Sequence, residues 1–288
     1  MKLMIKFILT LFSIMPLRLN HFVGSLIGRY LYLTNSDSKQ VVSININTCF
    51  PNLTPSERQL LIKKSLIETG KGLSESGFIW LRSFDNNAKQ IVKTTGIEHL
   101  QSDQPVILLV PHFGCWEITG RVLSINTPVT FLYKPLKKSK QEKLLIKNRE
   151  KHGLSMATAD KKGVIKLQRA IKNKELIGIL PDQDPGEEGG VLAPFFGTNA
   201  RSMTLLVKLA RKNNAKVLLT WALRLPKGKG YKLYLKPVNI LSEQGPLKED
   251  VTIMNQVIED LVKTNPEQYL WNYKRFRTTI DYSSKPSL

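Results

Sequence analysis

Two short runs of consecutive apolar residues, Val106–Val110 and Leu176–Leu180, constrain the fold of this chain most strongly. Unbroken apolar runs of about four to eight residues are typical of strands that are covered on both faces of a sheet. Segments with helical spacing of apolar residues alternate with such runs, which predicts an α/β fold, and no clear linker divides the chain. Helices are predicted over Pro55–Leu81, Lys140–His152, Lys161–Asn173, Ser202–Asn213 and Leu247–Lys263, and further strands over Val217–Leu225 and Tyr231–Val238.

The first 33 residues are rich in leucine, isoleucine and phenylalanine, and all their charges are positive. Pro16 and Arg18 interrupt the stretch, so no run reaches the roughly 20 apolar residues of a firm membrane-spanning helix. The stretch contains no alanine, so it lacks the A-x-A cleavage site of a signal peptide. We therefore expect residues 1–35 to form an uncleaved membrane anchor, interfacial or shallowly inserted, with residues 36–288 as the main domain. A buried core helix is the alternative.

The charge of the chain is strongly positive and locally concentrated. Its 43 Lys and Arg residues exceed its 23 Asp and Glu residues, for a formal charge of +20. Residues 134–172 hold 13 basic and 3 acidic side chains, and residues 201–240 hold 10 basic and none acidic. Such blocks indicate a polyanionic partner, and nucleic acid, an anionic membrane, a phosphorylated lipid and an acidic carrier protein all qualify. A solvated basic surface is the simpler alternative.

The sequence VPHFGCWE, residues 110–117, stands where the first apolar strand ends. Ligands of open α/β sheets usually bind at this edge. An imidazole is suited to general-base chemistry near neutral pH, so His112 could be the base. Glu117 in the first turn of a following helix could orient it if Gly114 allows the chain to turn. The pair could equally be a surface histidine with a helix-start glutamate. A third interpretation makes Cys115 a nucleophile that His112 activates.

These residues and five further segments resemble the lipid A biosynthesis late acyltransferases, which are related to the glycerolipid acyltransferases. The stretch His112–Glu117 resembles the H-x4-D/E block of that family, although most relatives have Asn where this chain has Cys115. The other segments follow in the family's order between about residues 105 and 277. They are Tyr133-Lys134-Pro135, Asn148-Arg149 with Gly153, Leu180–Asp184, Phe195-Phe196-Gly197 and Asn265–Trp271, the last with Tyr269 in place of a tryptophan.

The resemblance implies a mixed β-sheet flanked by helices and an acyltransferase domain over residues 36–288. It also implies transfer of a fatty acyl chain from acyl carrier protein to a hydroxyl of a phosphorylated, Kdo-linked lipid A precursor, at the cytoplasmic face of the inner membrane. No metal or other cofactor is expected. The implied catalytic residues are His112 as general base, Glu117 as its orienting partner, and Arg149 for the developing oxyanion or a lipid phosphate.

Other residues are expected to bind substrate. Asp182 either holds Arg149 in place or binds a substrate hydroxyl. Substrate binding is also expected of Gln183, Tyr133 and Lys134, which belong to the segments that resemble the family. Arg201 is predicted to start a helix, where an anionic ligand would explain a cation.

Other functions remain open. A basic nucleic-acid-binding protein would explain the charge, but the sequence has no zinc finger, RNP-like block or basic heptad helix, and we expect no nucleic acid partner. A hydrolase that releases free fatty acid and a transferase acting on another membrane lipid are the enzymatic alternatives.

Overall fold

The computed structural model describes residues 2–34, 36–135, 146, 149–150 and 153–283. Helices span Lys2–Ile14 (α1), Leu17–Leu33 (α2), Asp37–Cys49 (α3), Pro55–Leu81 (α4), Phe84–Ala88 (α5), Trp116–Leu123 (α6), Lys161–Lys172 (α7), Leu205–Asn213 (α8) and Leu247–Thr264 (α9). Strands span Ile91–Thr95 (β1), Val106–Leu109 (β2), Val129–Tyr133 (β3), Leu154–Thr158 (β4), Leu176–Ile179 (β5), Gly190–Phe195 (β6), Thr198–Met203 (β7), Lys216–Arg224 (β8) and Tyr231–Val238 (β9).

A seven-stranded sheet in the order β1-β9-β8-β2-β5-β3-β4 forms the centre of the fold. Its neighbouring strands are parallel except for β8 and β9, so the sheet is mixed, as expected. All four residues of β2 are buried. Ile107 and Leu109 belong to the apolar core on one face of the sheet, and Val106 and Leu108 to the core on the other. Helices cover both faces, which explains why β2 is apolar at every position.

The helix predicted to begin at Ser202 is shorter than expected. Residues 198–203 form β7 of a separate two-stranded antiparallel sheet, in which Arg201 lies opposite Leu192, and α8 begins only at Leu205. The prediction that Arg201 starts a helix is therefore wrong. The helix predicted over Lys140–His152 falls largely outside the described residues, where 146 and 149 are helical.

The N-terminal residues form two helices, α1 and α2, which are separated at Pro16 and pack against α4. Among the helices that the structure describes, none is both long and apolar enough to cross a membrane. One side of α2 is buried, through residues that include His21, Gly24 and Gly28. The remaining surface of α1 and α2 exposes large apolar side chains, among them Phe7, Ile14, Phe22, Tyr30 and Leu33.

Glycines allow α2 and α4 to approach at backbone distance. A Cβ atom added to Gly70 would lie 2.1 Å from the carbonyl oxygen of Gly24, whereas one added to Gly72 would have its nearest neighbour, an Arg224 nitrogen, at 3.7 Å.

We expect Gly70→Ala to lower the free energy of unfolding by about 1–3 kcal/mol, because the helices must separate. Gly72→Ala, two residues along the same helix, should be neutral or stabilising by up to about 1 kcal/mol. Denaturant unfolding of the two variants measures the difference, and equal stabilities would contradict this close packing.

Candidate active site

The residues after β2 and β5 meet at the carboxyl edge of the sheet. The two strands are parallel neighbours, with Leu109 paired to Ile179. His112 and Asp182 each lie three residues beyond these partners, so the register of the strands carries both side chains to the same place. This is the edge at which α/β sheets bind their ligands.

His112 is held by Asp182 through two hydrogen bonds. The ring Nδ1 lies 2.8 Å from Asp182 Oδ1, and the backbone N–H of His112 donates to Asp182 Oδ2 at 2.9 Å. Burial of Asp182 alone would raise its pKa, but the charge and hydrogen bonds of His112 outweigh burial and hold the pKa below its ordinary value. The ionised carboxylate accepts the proton of Nδ1, which leaves the lone pair of Nε2 available as a base.

The other ring nitrogen of His112 already has a hydrogen-bonding neighbour. Gln183 Nε2 lies 3.2 Å from His112 Nε2, so the amide N–H donates to that lone pair. The ring of Trp116 packs edge-on against the imidazole with 5.2 Å between centroids. The amide of Gln183 thus marks the position from which a substrate hydroxyl would donate to Nε2.

Glu117 binds Arg149 rather than His112. Its carboxylate accepts hydrogen bonds from Arg149 Nη2 and, at 3.2 Å, from Arg149 Nε. The indole N–H of Trp80 donates to Glu117 Oε2 at 3.0 Å, and the Arg149 guanidinium lies over the Trp80 ring, 5.5 Å from its centroid. The expected partners are therefore exchanged: Asp182 orients His112, and Glu117 holds Arg149.

The backbone between His112 and Glu117 explains this exchange. Gly114 has a φ of +58°, and a Cβ atom there would lie 2.1 Å from the carbonyl oxygen of Ala222, so only glycine fits the turn. Helix α6 then begins at Trp116, which places Glu117 in its first turn. A carboxylate is favoured there by the helix dipole. From this position it reaches Trp80 on α4.

A cavity of about 890 Å³ opens beside these groups. Its volume lies within the roughly 300–1,000 Å³ typical of small-molecule sites. Six of the eight predicted site residues line it: His112, Glu117, Arg149, Gln183, Tyr133 and Lys134. Its apolar wall includes Ile79, Trp80, Trp116, Phe131, Leu154 and Met156.

Two other predicted residues have different positions. Asp182 lies behind His112 and is 2% exposed, so it neither holds Arg149 nor faces the cavity as a hydroxyl ligand. Arg201 lies on β7, where its guanidinium is 3.7 Å from the exposed carboxylate of Glu187. No anion at a helix start is therefore needed to explain Arg201.

The structure disfavours Cys115 as a nucleophile. The residue is buried, and burial together with the charge of Glu75 raises the pKa of its thiol well above the ordinary value. A thiolate would therefore be costly to form.

Sequence analysis missed several polar residues of this region. Trp80 belongs to no recognised motif, and only the packing of α4 against α6 brings it to Glu117. Glu68 and Glu75 carried a usable signal: they are seven residues apart on the face of α4 that also carries the buried residues Ser65 and Phe78. Two carboxylates on such a face indicate a buried cationic partner, which the structure identifies as Arg224.

Residues 2–278 match the family model described as bacterial lipid A biosynthesis acyltransferase. The chain belongs to this family. The acyltransferase is 29% identical over 245 residues to the lipid A biosynthesis lauroyltransferase of Escherichia coli K12, an alignment that covers 83% of this chain and 79% of the relative. It is 28% identical over 265 residues to the palmitoleoyltransferase of the same organism, covering 89% and 84%. A lipid A biosynthesis acyltransferase of Haemophilus influenzae is 27% identical over 252 residues, covering 85% and 78%.

Proposed function

We propose that this acyltransferase moves a fatty acyl chain from acyl carrier protein to a hydroxyl of a phosphorylated, Kdo-linked lipid A precursor. The observation that carries the proposal is the Asp182–His112 pair, whose Nε2 lies beside a cavity with a largely apolar wall. Acylation of a hydroxyl needs a base for the hydroxyl proton and space for a hydrocarbon chain, and this site offers both. The names of the relatives, lauroyltransferase and palmitoleoyltransferase, support a fatty acyl group as the one transferred.

We propose the following reaction at this pair. The substrate hydroxyl displaces the Gln183 amide and donates to His112 Nε2. As its oxygen attacks the thioester carbonyl, the proton passes to Nε2, and the Asp182 carboxylate stabilises the imidazolium. The tetrahedral oxyanion collapses, the carbon–sulfur bond breaks, and His112 returns the proton to the departing thiolate. Arg149, held by Glu117 on the cavity wall, stabilises the oxyanion or binds a phosphate of the acceptor.

The surface of the N-terminal helices supports binding at the cytoplasmic face of the inner membrane. The start of α2, with its exposed side chains Leu19 and Phe22, lies beside the turn Pro226–Lys229, because Gly228 packs against the backbone of Arg18. Lys227 and Lys229 of this turn are exposed. An apolar helix surface with lysines beside it suits an anionic lipid surface. The other exposed cations of residues 201–240, such as Lys208 and Lys212, would attract the acidic carrier protein.

Removing two aromatic rings from this surface should weaken membrane binding. We expect the double variant Phe7→Ser with Phe22→Ser to bind vesicles containing anionic lipid about tenfold more weakly or worse, because each exposed ring would otherwise leave water. The matched control, Ile165→Ser with Leu192→Ser, removes two exposed apolar side chains outside the N-terminal helices, one on α7 and one on β6. Cosedimentation with vesicles measures both. Equal binding by the two double variants would contradict a membrane role for α1 and α2.

Matched substrates test the proposed reaction. Purified full-length protein in detergent micelles is given the same acyl chain on acyl carrier protein or on coenzyme A, and a Kdo-linked precursor with or without its acyl-chain hydroxyls. Mass spectrometry follows the lipid and any free fatty acid. We expect one added acyl group only with the carrier-protein donor and the hydroxylated acceptor. Release of fatty acid without lipid acylation would instead identify a hydrolase, and acylation of an unrelated lipid would identify a different acceptor.

A further inference from the structure

A cluster of buried charges connects the N-terminal helix α2 to the sheet. Glu75 of α4 receives hydrogen bonds from Arg224 Nε and Nη2 at 2.8–3.0 Å, and Arg224 Nη1 donates to Glu68 at 3.0 Å. His21 of α2 places Nε2 2.6 Å from Glu75 Oε1, and the Tyr231 hydroxyl donates to the same oxygen at 2.8 Å. His21, Glu75 and Arg224 are each at most 5% exposed.

The same guanidinium holds the turn of the active-site loop. Arg224 Nη2 donates to the carbonyl oxygen of Gly114 at 2.8 Å. The Gly114 N–H donates to the carbonyl oxygen of Gln268 at 2.9 Å, and the Gln268 side chain bonds both the N–H and the C=O of Arg224. Gly114 is the left-handed residue between His112 and Glu117. Its position therefore sets where both side chains begin.

Each charged side chain of the cluster stays ionised in the protein interior because the others compensate its charge. Burial opposes ionisation of Glu75, but the Arg224 guanidinium and the His21 ring outweigh it and hold the Glu75 pKa below its ordinary range. Removing one partner from a buried ion pair leaves an uncompensated charge, and the remaining groups must then move to find new partners. Arg224 cannot move without releasing Gly114.

We propose that His21 is a positioning residue for acyl transfer. His21 holds Glu75, Glu75 holds Arg224, and Arg224 fixes the Gly114 turn. This turn then sets the separation of the two functional pairs, which are His112 with Asp182 and Glu117 with Arg149. The role in transfer rests on the proposed function. Helix α2 is then part of the framework of the active site as well as a surface for lipid.

The test compares two substitutions that differ in one donor group. His21→Phe keeps a ring of similar size but has no N–H for Glu75, whereas the side-chain amide of His21→Gln donates from nearly the position of Nε2. We expect the Phe variant to lose on the order of tenfold to a hundredfold in kcat, with a smaller change in KM for both substrates, because the reacting groups are misplaced while most of the cavity wall is unchanged. The Gln variant should stay within about threefold of wild type, since one hydrogen bond of similar length is retained. His99→Ala, at a partly exposed histidine outside the cluster, is the control.

A second readout is independent of activity. In the detergent-solubilised full-length chain, hydrogen exchange should accelerate for the amides of residues 110–120 in the Phe variant, which include the hydrogen-bonded N–H groups of Gly114 and Cys115. His21→Leu replaces the Phe variant if the latter does not fold. Faster exchange confined to α2 and α4, or equal kcat values for the Phe and Gln variants, would overturn the proposal. If wild type shows no acyl transfer, the proposed function fails, while the exchange measurement still decides whether His21 controls the turn.

Discussion

Replacing His112 with alanine is expected to reduce kcat for acyl transfer by about a hundredfold to ten-thousandfold, the usual contribution of a general base. The hydroxyl would then have to lose its proton to water while it attacks the thioester. His112 lies at the wall of the cavity with its side chain 14% exposed, so the substitution opens space that solvent can fill. Release of the carrier-protein thiol measures the rate, and circular dichroism with thermal unfolding confirms that the variant is folded.

The alanine variant leaves the buried Asp182 carboxylate with one fewer donor, which lowers stability as well as activity. His112→Asn separates the two effects, because its amide N–H can still donate to Asp182 in place of Nδ1 but the residue offers no base. We expect the Asn variant to be more stable than the Ala variant and just as inactive. A rate near that of wild type in either folded variant would rule out His112 as the base.

Replacing Asp182 with asparagine should reduce kcat nearly as much, by about a hundredfold or more. Asparagine cannot stabilise the imidazolium, and its amide N–H can donate to Nδ1 and so favour the tautomer in which Nε2 carries the proton. Glu117→Gln is the matched carboxylate-to-amide control, and it should act through Arg149. Its effect should be smaller, and it should appear partly in KM because the cavity wall is altered.

The outcome of this pair distinguishes the two possible partners of His112. If the base were oriented by Glu117, the larger loss of kcat would come from Glu117→Gln, and Asp182→Asn would have little effect on kcat.

The pH dependence of folding stability tests the Asp182–His112 pair independently of activity. Because the folded-state pKa of Asp182 is depressed, its ionised form stabilises the fold above about pH 4, the unfolded value, and this contribution is lost as the pH falls through the folded value. The stability difference between wild type and the Asn variant should therefore shrink on acidification below about pH 4.

Local sequence signals predicted the elements whose structure depends on local interactions. The apolar runs at β2 and β5 are strands, and α4 spans Pro55–Leu81 as predicted, capped by Thr54 through a reciprocal capping box with Glu57. The turn after β8 lies in the gap between the two predicted strands Val217–Leu225 and Tyr231–Val238, where Pro226, Gly228 and Gly230 favour a turn. In each case the residue types are sufficient, because the relevant partners lie within a few positions along the chain.

Elements that depend on distant partners were not predictable in this way. The buried residues of β7 are Ala200 and Ser202, which give no strong apolar signal. The strand is stabilised by pairing with β6 and by a hydrogen bond from the Asn255 amide of α9 to the Ser202 hydroxyl. This is why a helix start was assigned to Arg201. The edge strands β1 and β4 were also not predicted. Neither has an unbroken apolar run, and neither alternates clearly between apolar and polar residues.

The partner of His112 is the most instructive difference. The sequence places His112 at the end of a predicted strand and predicts Glu117, five residues further along the chain, as its partner. The order of strands in the sheet, with β5 beside β2, is set by tertiary packing, and it brings in a carboxylate 70 residues away. Glu117 is directed elsewhere by the Gly114 turn and the start of α6.

Acyl transfer by the Asp182–His112 pair is tested most directly by mass spectrometry of lipid A from four kinds of cells. One kind lacks this protein, and the others carry wild type, His112→Ala or Asp182→Asn in its place. We expect lipid A from the deficient cells to lack one acyl chain. Wild type should restore the missing mass, and neither variant should do so at matched expression. An unchanged lipid A profile in the deficient cells, or full restoration by His112→Ala, would contradict acyl transfer by the Asp182–His112 pair.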